Sequence, residues 1–326
     1  MSDQSPVLSV RDLVTEIRLS ERHVNLVRGV SFDLYPGEVL GVVGESGSGK
    51  SMTGSSIMNL LEPPLRIAGG SVCMADRDLT TLPAEEMREL RGDRVAMIFQ
   101  DPMVSLNPVL TIGEQMIEAV KAHRKVSTND ARDLAIKALQ KVGIPSPEKR
   151  LKGYPHEFSG GMRQRVVIAI AFLNNPDIII ADEPTTALDV TIQAQILSEI
   201  QKQARESGTA VIWITHDLAL LSGFADRVMV MYAGEIVEAG STADLISSPR
   251  HPYTQALIGA IPTPDRDTLD ILEGFPPDLF NDQSGCSFAP RCVFAKDRCR
   301  SQIPEPAGEN LSRARCFFPL HHEETT

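Results

Sequence analysis

Gly44-Glu45-Ser46-Gly47-Ser48-Gly49-Lys50-Ser51 has the residue types needed to hold a polyphosphate. Glycines let backbone N–H groups turn inward around phosphate oxygens. A helix expected from Ser51 to Leu61 brings the positive end of its dipole to the same point. Lys50 is expected to reach the β- and γ-phosphates of a nucleoside triphosphate, and the Ser51 hydroxyl to coordinate Mg²⁺. Met52 is expected to complete the nucleotide contact from the first turn of that helix. A second set of reactive groups lies far along the chain, where Asp182 and Glu183 follow the apolar run Ile178-Ile179-Ile180-Ala181. A carboxylate at the end of a buried strand suits the Mg²⁺ shell, so Asp182 takes that role; Glu183 is placed to polarise an attacking water. The chemistry expected is hydrolysis of a nucleoside triphosphate.

These groups need a scaffold, and the hydrophobic pattern supplies one. Glu38-Val39-Leu40-Gly41-Val42-Val43 reads as a buried strand ahead of the glycine-rich turn, and Ile57, Leu60 and Leu61 are the apolar positions of the helix after it. Ile178 to Ala181 reads as a central parallel strand. Val95-Ala96-Met97-Ile98-Phe99 and Ala210-Val211-Ile212-Trp213-Ile214 are further strands, ending at Gln100 and shortly before His216. Residues 7–43 alternate in short strand-like pieces with a turn around Ser20-Glu21-Arg22. Residues 103–158 change to helical spacing over Ile112–Val120 and Ala131–Val142, with Gly143 and Pro145 stopping the second helix. A further helix is expected over Met162–Leu173. After His216 come one more helix–strand pair and Gly234-Glu235-Ile236-Val237-Glu238, and the core closes near residue 260. The fold class is α/β, with a helical subdomain at about 101–165.

A chain of 326 residues can bury such a core and still carry an appendage. Its net charge of −11 weighs against a nucleic-acid surface, which needs a basic patch. No run of about 18 apolar residues is present, so no membrane span is expected. The start, Met1-Ser2-Asp3-Gln4-Ser5-Pro6, is polar and carries no basic region of the signal-peptide kind. These features fit a soluble intracellular enzyme. If the chain drives transport, other chains must form the pathway.

Ser159-Gly160-Gly161-Met162-Arg163-Gln164 lies more than a hundred residues after the glycine-rich turn. The two segments together resemble the ABC (ATP-binding cassette) family. That resemblance implies ATP held between the phosphate loop of one cassette and the signature residues Ser159, Gly160, Gly161 and Gln164 of another. The helix N-terminus there and the Ser159 hydroxyl suit a γ-phosphate presented by the opposite cassette. By the same resemblance Pro184-Thr185-Thr186-Ala187-Leu188-Asp189 crosses to the opposite cassette, and His216 is a switch histidine sensing the γ-phosphate. Gln100 touches the metal and leads into the segment coupled to membrane subunits. One position departs from the pattern. The residue aligned with the ring that stacks on adenine is Ile17, and Thr15–Val27 holds no Phe, Tyr or Trp. Base stacking contributes about 1–3 kcal/mol; the base contact stays open.

Three more segments resemble the ATPases of oligopeptide and dipeptide importers: Arg250-His251-Pro252-Tyr253-Thr254-Gln255-Ala256-Leu257; Gln100-Asp101-Pro102-Met103 with Ser105-Leu106-Asn107-Pro108; and Tyr154-Pro155-His156-Glu157-Phe158. Met162, where many ABC proteins have Gln, resembles the D-type of the two ATPase subunits. The resemblance implies a related but distinct ATPase chain as partner, with a homodimer as the alternative. It also implies two transmembrane permease subunits, an extracytoplasmic solute-binding protein, no nucleic acid, and a peripheral place on the cytoplasmic face of the membrane. Related ATPases also serve importers of nickel, opines and some sugars, and substrate choice sits in the other chains. Two other classes compete. An ABC ATPase acting on nucleic acid carries two cassettes, long coiled coils or zinc insertions; this chain has one cassette and no heptad run. A non-catalytic nucleotide-binding regulator lacks catalytic positions that are all present here.

Four of the five cysteines lie near the end, Cys286, Cys292, Cys299 and Cys316, spaced C-x5-C-x6-C-x16-C with Pro290-Arg291 before the second. Cys73 stands apart and reads as a buried small apolar residue. Clustered cysteines in a cytosolic chain favour metal over disulfide, and zinc sites usually have tighter pairs. The spacing resembles the tail of some peptide-importer ATPases that binds a [4Fe–4S] cluster; zinc, or free thiols and disulfides, are the alternatives. The domain boundaries expected are 1–260 for the cassette and 261–326 for the extension.

Overall fold

Apolar runs become strands wherever both faces are covered. In chain order the strands are β1 (Leu8–Leu19), β2 (Arg22–Leu34), β3 (Val39–Val43), β4 (Leu65–Met74), β5 (Arg77–Asp78), β6 (Val95–Ile98), β7 (Ile178–Asp182), β8 (Ala210–Thr215), β9 (Arg227–Tyr232), β10 (Glu235–Ser241) and β11 (Arg313–Ala314). The computed structural model describes residues 5–19, 22–185, 190–262, 272–281, 284–308 and 312–320. The expected turn at Ser20-Glu21 and the segment Thr186–Asp189 lie outside the described residues. The chain divides into two units.

The first unit comprises residues 1–7, 34–39 and 81–213. Its sheet runs β8-β7-β6, and β6 and β7 are parallel with Val95 opposite Ile178 and Ile98 opposite Ala181. Ile178, Ile179, Ile180 and Ala181 are fully buried, as a strand covered on both faces requires. The helical stretch forms as the periodicity predicts, with its starts fixed by caps. Thr111 and Glu114 make a reciprocal capping box for the helix Ile112–Lys121, and Ser127 and Asp130 make another for Thr128–Lys141. The second box starts that helix three residues before the apolar pattern does. Gly143 stops it, at φ +71°.

The second unit comprises residues 8–33, 40–80 and 214–326. One sheet orders its strands β2-β1-β4-β5; the other places β3 parallel to β9, then β10 and β11 antiparallel beyond it. Over residues 7–43 the expected short pieces are instead two long strands, β1 and β2, followed by the five-residue β3. Charged residues such as Arg11 and Asp12 occupy exposed positions of one continuous sheet and break the apolar pattern without breaking the strand. The irregularity is a bulge between Arg11 and Val14, with Asp12 at φ +47°.

Two further expectations are corrected. The helix after the glycine-rich turn runs Lys50–Ile57 and does not reach Leu61. Asn59 adopts φ +49°, a left-handed helix stop, and leaves Leu60 exposed. Cys73, on β4, is half-buried, on the side of the strand opposite the buried Val72 and Met74.

The described residues after 260 hold little regular structure. They are held by the pairing of β11 with Glu238 and Ala239 of β10 and by a short helix, Asp297–Ser301. An aromatic cluster also packs them. Phe288 lies 5.3 Å from Tyr232, 5.4 Å from Tyr253 and 5.7 Å from His251, centroid to centroid. No helix among the described residues is long and apolar enough to cross a membrane.

Candidate functional site

β3 delivers the chain into the turn Gly44–Ser51 and the helix Lys50–Ile57 leaves it. Glycine is needed at two points for different reasons. A Cβ on Gly44 would lie 2.2 Å from the Met231 carbonyl oxygen, so nothing larger fits against β9. Gly49 sits at φ +98°, and a Cβ there would meet the Leu26 carbonyl oxygen at 2.9 Å. The loop is pinned from below by Gly234 N–H donating to the Ser48 carbonyl at 2.9 Å. Ser46, Gly47 and the Ser51 side face solvent, whereas Ser48 and Lys50 are buried. Lys50 Nζ donates to the Gly44 carbonyl at 2.7 Å and the Glu45 carbonyl at 2.9 Å. Its charge is thus held within the loop, at the positive end of the helix, where phosphate oxygens would seat. Met52 follows in the first turn, half-buried.

In the other unit, Asp182 ends β7 and Glu183 follows it at φ +45°. That left-handed conformation is uncommon for a residue with a long side chain. Gln100, two residues beyond β6, donates from Nε2 to Glu183 Oε2 at 3.4 Å. The parallel pairing of β6 and β7 brings these two groups together across more than eighty residues of sequence. The signature opens the helix Gly160–Phe172: Ser159 caps it by accepting from Met162 N–H at 3.3 Å. The hydroxyl hydrogen is left to donate outward. Ser159 and Gly160 are exposed, and a Cβ on Gly160 would meet nothing within 4 Å. Gly161 is tighter, since a Cβ there would meet Ile192 at 3.2 Å, and Gln164 is buried with no hydrogen-bond partner for its Nε2 among the described residues. His216 is exposed just past β8, and Ile17 lies half-buried on β1.

The sequence offered no role for the residues that back the phosphate loop. Tyr253 Oη accepts from the Glu45 N–H at 2.9 Å, and Arg291 pairs with the Glu45 carboxylate through two hydrogen bonds, 2.6 and 3.0 Å. His251 is fully buried, and burial lowers its pKa to about 3. It stays neutral, and its Nδ1 accepts from Tyr253 N–H at 3.1 Å, capping the helix Pro252–Gly259. Glu238 accepts from the N–H groups of Arg250 and His251, and burial raises its pKa. The motif around Tyr253 was visible in sequence; its contact with residue 45 carries no local signature.

Cys286, Cys292, Cys299 and Cys316 line one narrow apolar pocket with Phe288, Phe294, Phe317 and Phe318. Burial raises the thiol pKa of Cys286 and Cys292 and pushes that of Cys316 up to about 11, with the neighbouring cysteines adding to each shift. Four soft donors in an apolar setting fit a thiophilic metal group. Among the described residues, however, no three His, Cys, Asp or Glu side chains are gathered closely enough to hold one metal ion.

Residues 27–186 match the family model described as ABC transporter, and residues 237–299 match that described as oligopeptide/dipeptide transporter, C-terminal region. The dipeptide transport ATP-binding protein DppD of Bacillus subtilis is 51% identical over 88% of this chain and 86% of its own length. The oligopeptide transport ATP-binding protein OppD of Escherichia coli is 46% identical over 96% of this chain and 94% of its own. Among solved structures, a bacterial ABC transporter cassette described as dimeric superposes with a TM-score of 0.65 at 27% identity, covering 72% of this chain and 98% of that one.

Proposed function

Because the chain belongs to the ABC transporter ATP-binding family, an ATPase family, we propose that it is the ATP-hydrolysing subunit of an importer of dipeptides or oligopeptides. One observation carries this reading: the phosphate loop, with its buried Lys50, is backed by the same C-terminal region that matches the peptide-transporter model. ATP and Mg²⁺ are the expected ligands for the family. Residues 44–52 would bind ATP; Ser51, Gln100 and Asp182 would hold the Mg²⁺ shell. Glu183 would take a proton from water, and His216 would sense the γ-phosphate. The outward Ser159 and Gly160, with Gly161 and Gln164 of the same signature, suit the ATP of a second cassette. The sequence reading favours a related but distinct chain as that cassette.

The rest of the assembly would be two permease subunits and an extracytoplasmic binding protein, with this chain peripheral at the cytoplasmic face. We take 1–260 as the cassette and 261–326 as the extension. The test is ATP-driven uptake in proteoliposomes holding the chain with its permease and partner ATPase. Labelled dipeptides or oligopeptides are expected to accumulate, while accumulation of nickel, an opine or a sugar instead would replace the substrate.

The four cysteines we assign to a [4Fe–4S] cluster. Thiolates of such a cluster each ligate a different iron, so they stand further apart than four ligands around one zinc at about 2.3 Å. The four thiols lining one apolar pocket support the reading. When bound, the cluster supplies cross-links in a stretch with little core of its own. Anaerobically purified protein should be brown, with about four irons and four labile sulfides per chain. Cys292→Ser should lower iron content and make residues 284–320 more susceptible to proteolysis. Stoichiometric zinc without iron would replace the assignment.

A further inference from the structure

We propose that Arg291 is a positioning residue for ATP binding, acting through Glu45 to set the phosphate loop and its lysine. This inference rests on the reading of residues 44–51 as the phosphate loop.

Glu45 is an awkward residue at that place. Its carboxylate adds negative charge to a loop that must accept a polyphosphate, and like charges at such range repel. Arg291 meets it with a bidentate guanidinium, 2.6 and 3.0 Å, and its side chain is only 4% exposed. Arg291 is itself fixed. Its Nε donates to the Glu273 carbonyl at 3.0 Å, a terminal nitrogen donates to Tyr232 Oη at 3.3 Å, and it lies over the Tyr232 ring at 5.9 Å. The Glu45 backbone is held at both ends, its N–H by Tyr253 Oη at 2.9 Å and its carbonyl by Lys50 Nζ at 2.9 Å. One residue therefore links the C-terminal region to the ammonium that binds phosphate. The fork geometry makes the pair directional. Removing only the arginine leaves an unneutralised carboxylate in the loop.

The experiment measures MgATP affinity of the full chain by calorimetry, with wild type and Lys50→Ala as references. Arg291→Ala should weaken binding about tenfold. Adding Glu45→Gln to it removes the charge that Arg291 neutralises, so the double variant should regain most of the loss. A role limited to folding the C-terminal region predicts no regain. Tyr253→Phe deletes one oxygen and keeps its ring against Phe288. It should weaken MgATP binding about threefold and secures the test should Arg291→Ala fold poorly. Wild-type affinity in both Arg291→Ala and Tyr253→Phe would overturn the proposal, as would a double variant no better than Arg291→Ala. Failure of the wild type itself to bind MgATP would instead overturn the underlying reading of the loop.

Discussion

Glu183→Gln should stop steady-state ATP hydrolysis while leaving ATP bound. Glutamine has the size and shape of glutamate, and its side-chain oxygen can still accept from Gln100 Nε2, which stands 3.4 Å from Glu183 Oε2. The backbone at φ +45° that aims the side chain need not change. What is lost is the negative charge that, in the role proposed for Glu183, draws a proton from the attacking water. Loss of a general base costs about 10²–10⁴-fold in rate. Binding depends on the phosphate loop, in the other unit, and should survive. The favoured state of a γ-phosphate-driven switch should then be the closed one, because the reaction that reopens it is blocked. The measurement is turnover and retained ATP in the reconstituted importer. A partner cassette with its own competent site would leave residual turnover, so single-turnover decay at this chain's site must be separated. Near-normal hydrolysis there would remove Glu183 from the role.

What the sequence disclosed depended on how local each constraint is. The turn at 44–51 is legible because its glycines, Lys50 and Ser51 fall within eight consecutive positions, although the close approach that demands Gly44 comes from the Met231 carbonyl, far along the chain. Ile178–Ala181 is legible because a strand buried on both faces must be apolar throughout. The long strands β1 and β2 were less so, since Arg11 and Asp12 sit on the open face and Asp12 lies in a bulge. The helix end at Asn59 rested on one backbone angle that an asparagine tolerates but does not announce. Least legible was the backing of the loop. Glu45 and Arg291 are 246 residues apart, and neither residue type has an unusual neighbour pattern. Pairings of that range are made by the fold, and a single sequence holds no record of them.

Lys50→Ala should act before chemistry. Lys50 is 5% exposed, and its ammonium donates to two loop carbonyls, at 2.7 and 2.9 Å, with Ser48 Oγ at 3.5 Å. Alanine changes two things. The Gly44 and Glu45 carbonyls lose this donor, so the loop loses part of its shape. The positive charge proposed to face the β- and γ-phosphates also vanishes. Hydrogen bonds to charged groups contribute about 1.5–3 kcal/mol each, so two lost contacts to phosphate predict ATP affinity lower by about a hundredfold or more. The two causes have different signatures. A loop that merely relaxes weakens ATP and ADP alike, because both place α- and β-phosphates in it. Loss of the charge falls harder on ATP, whose γ-phosphate the lysine also reaches. Affinities for MgATP and MgADP measured on the same variant separate them. An ATP-to-ADP preference that collapses together with the affinity assigns Lys50 to the phosphates. Equal losses for both nucleotides would reduce it to a brace of the loop, and unchanged ATP affinity would contradict either role.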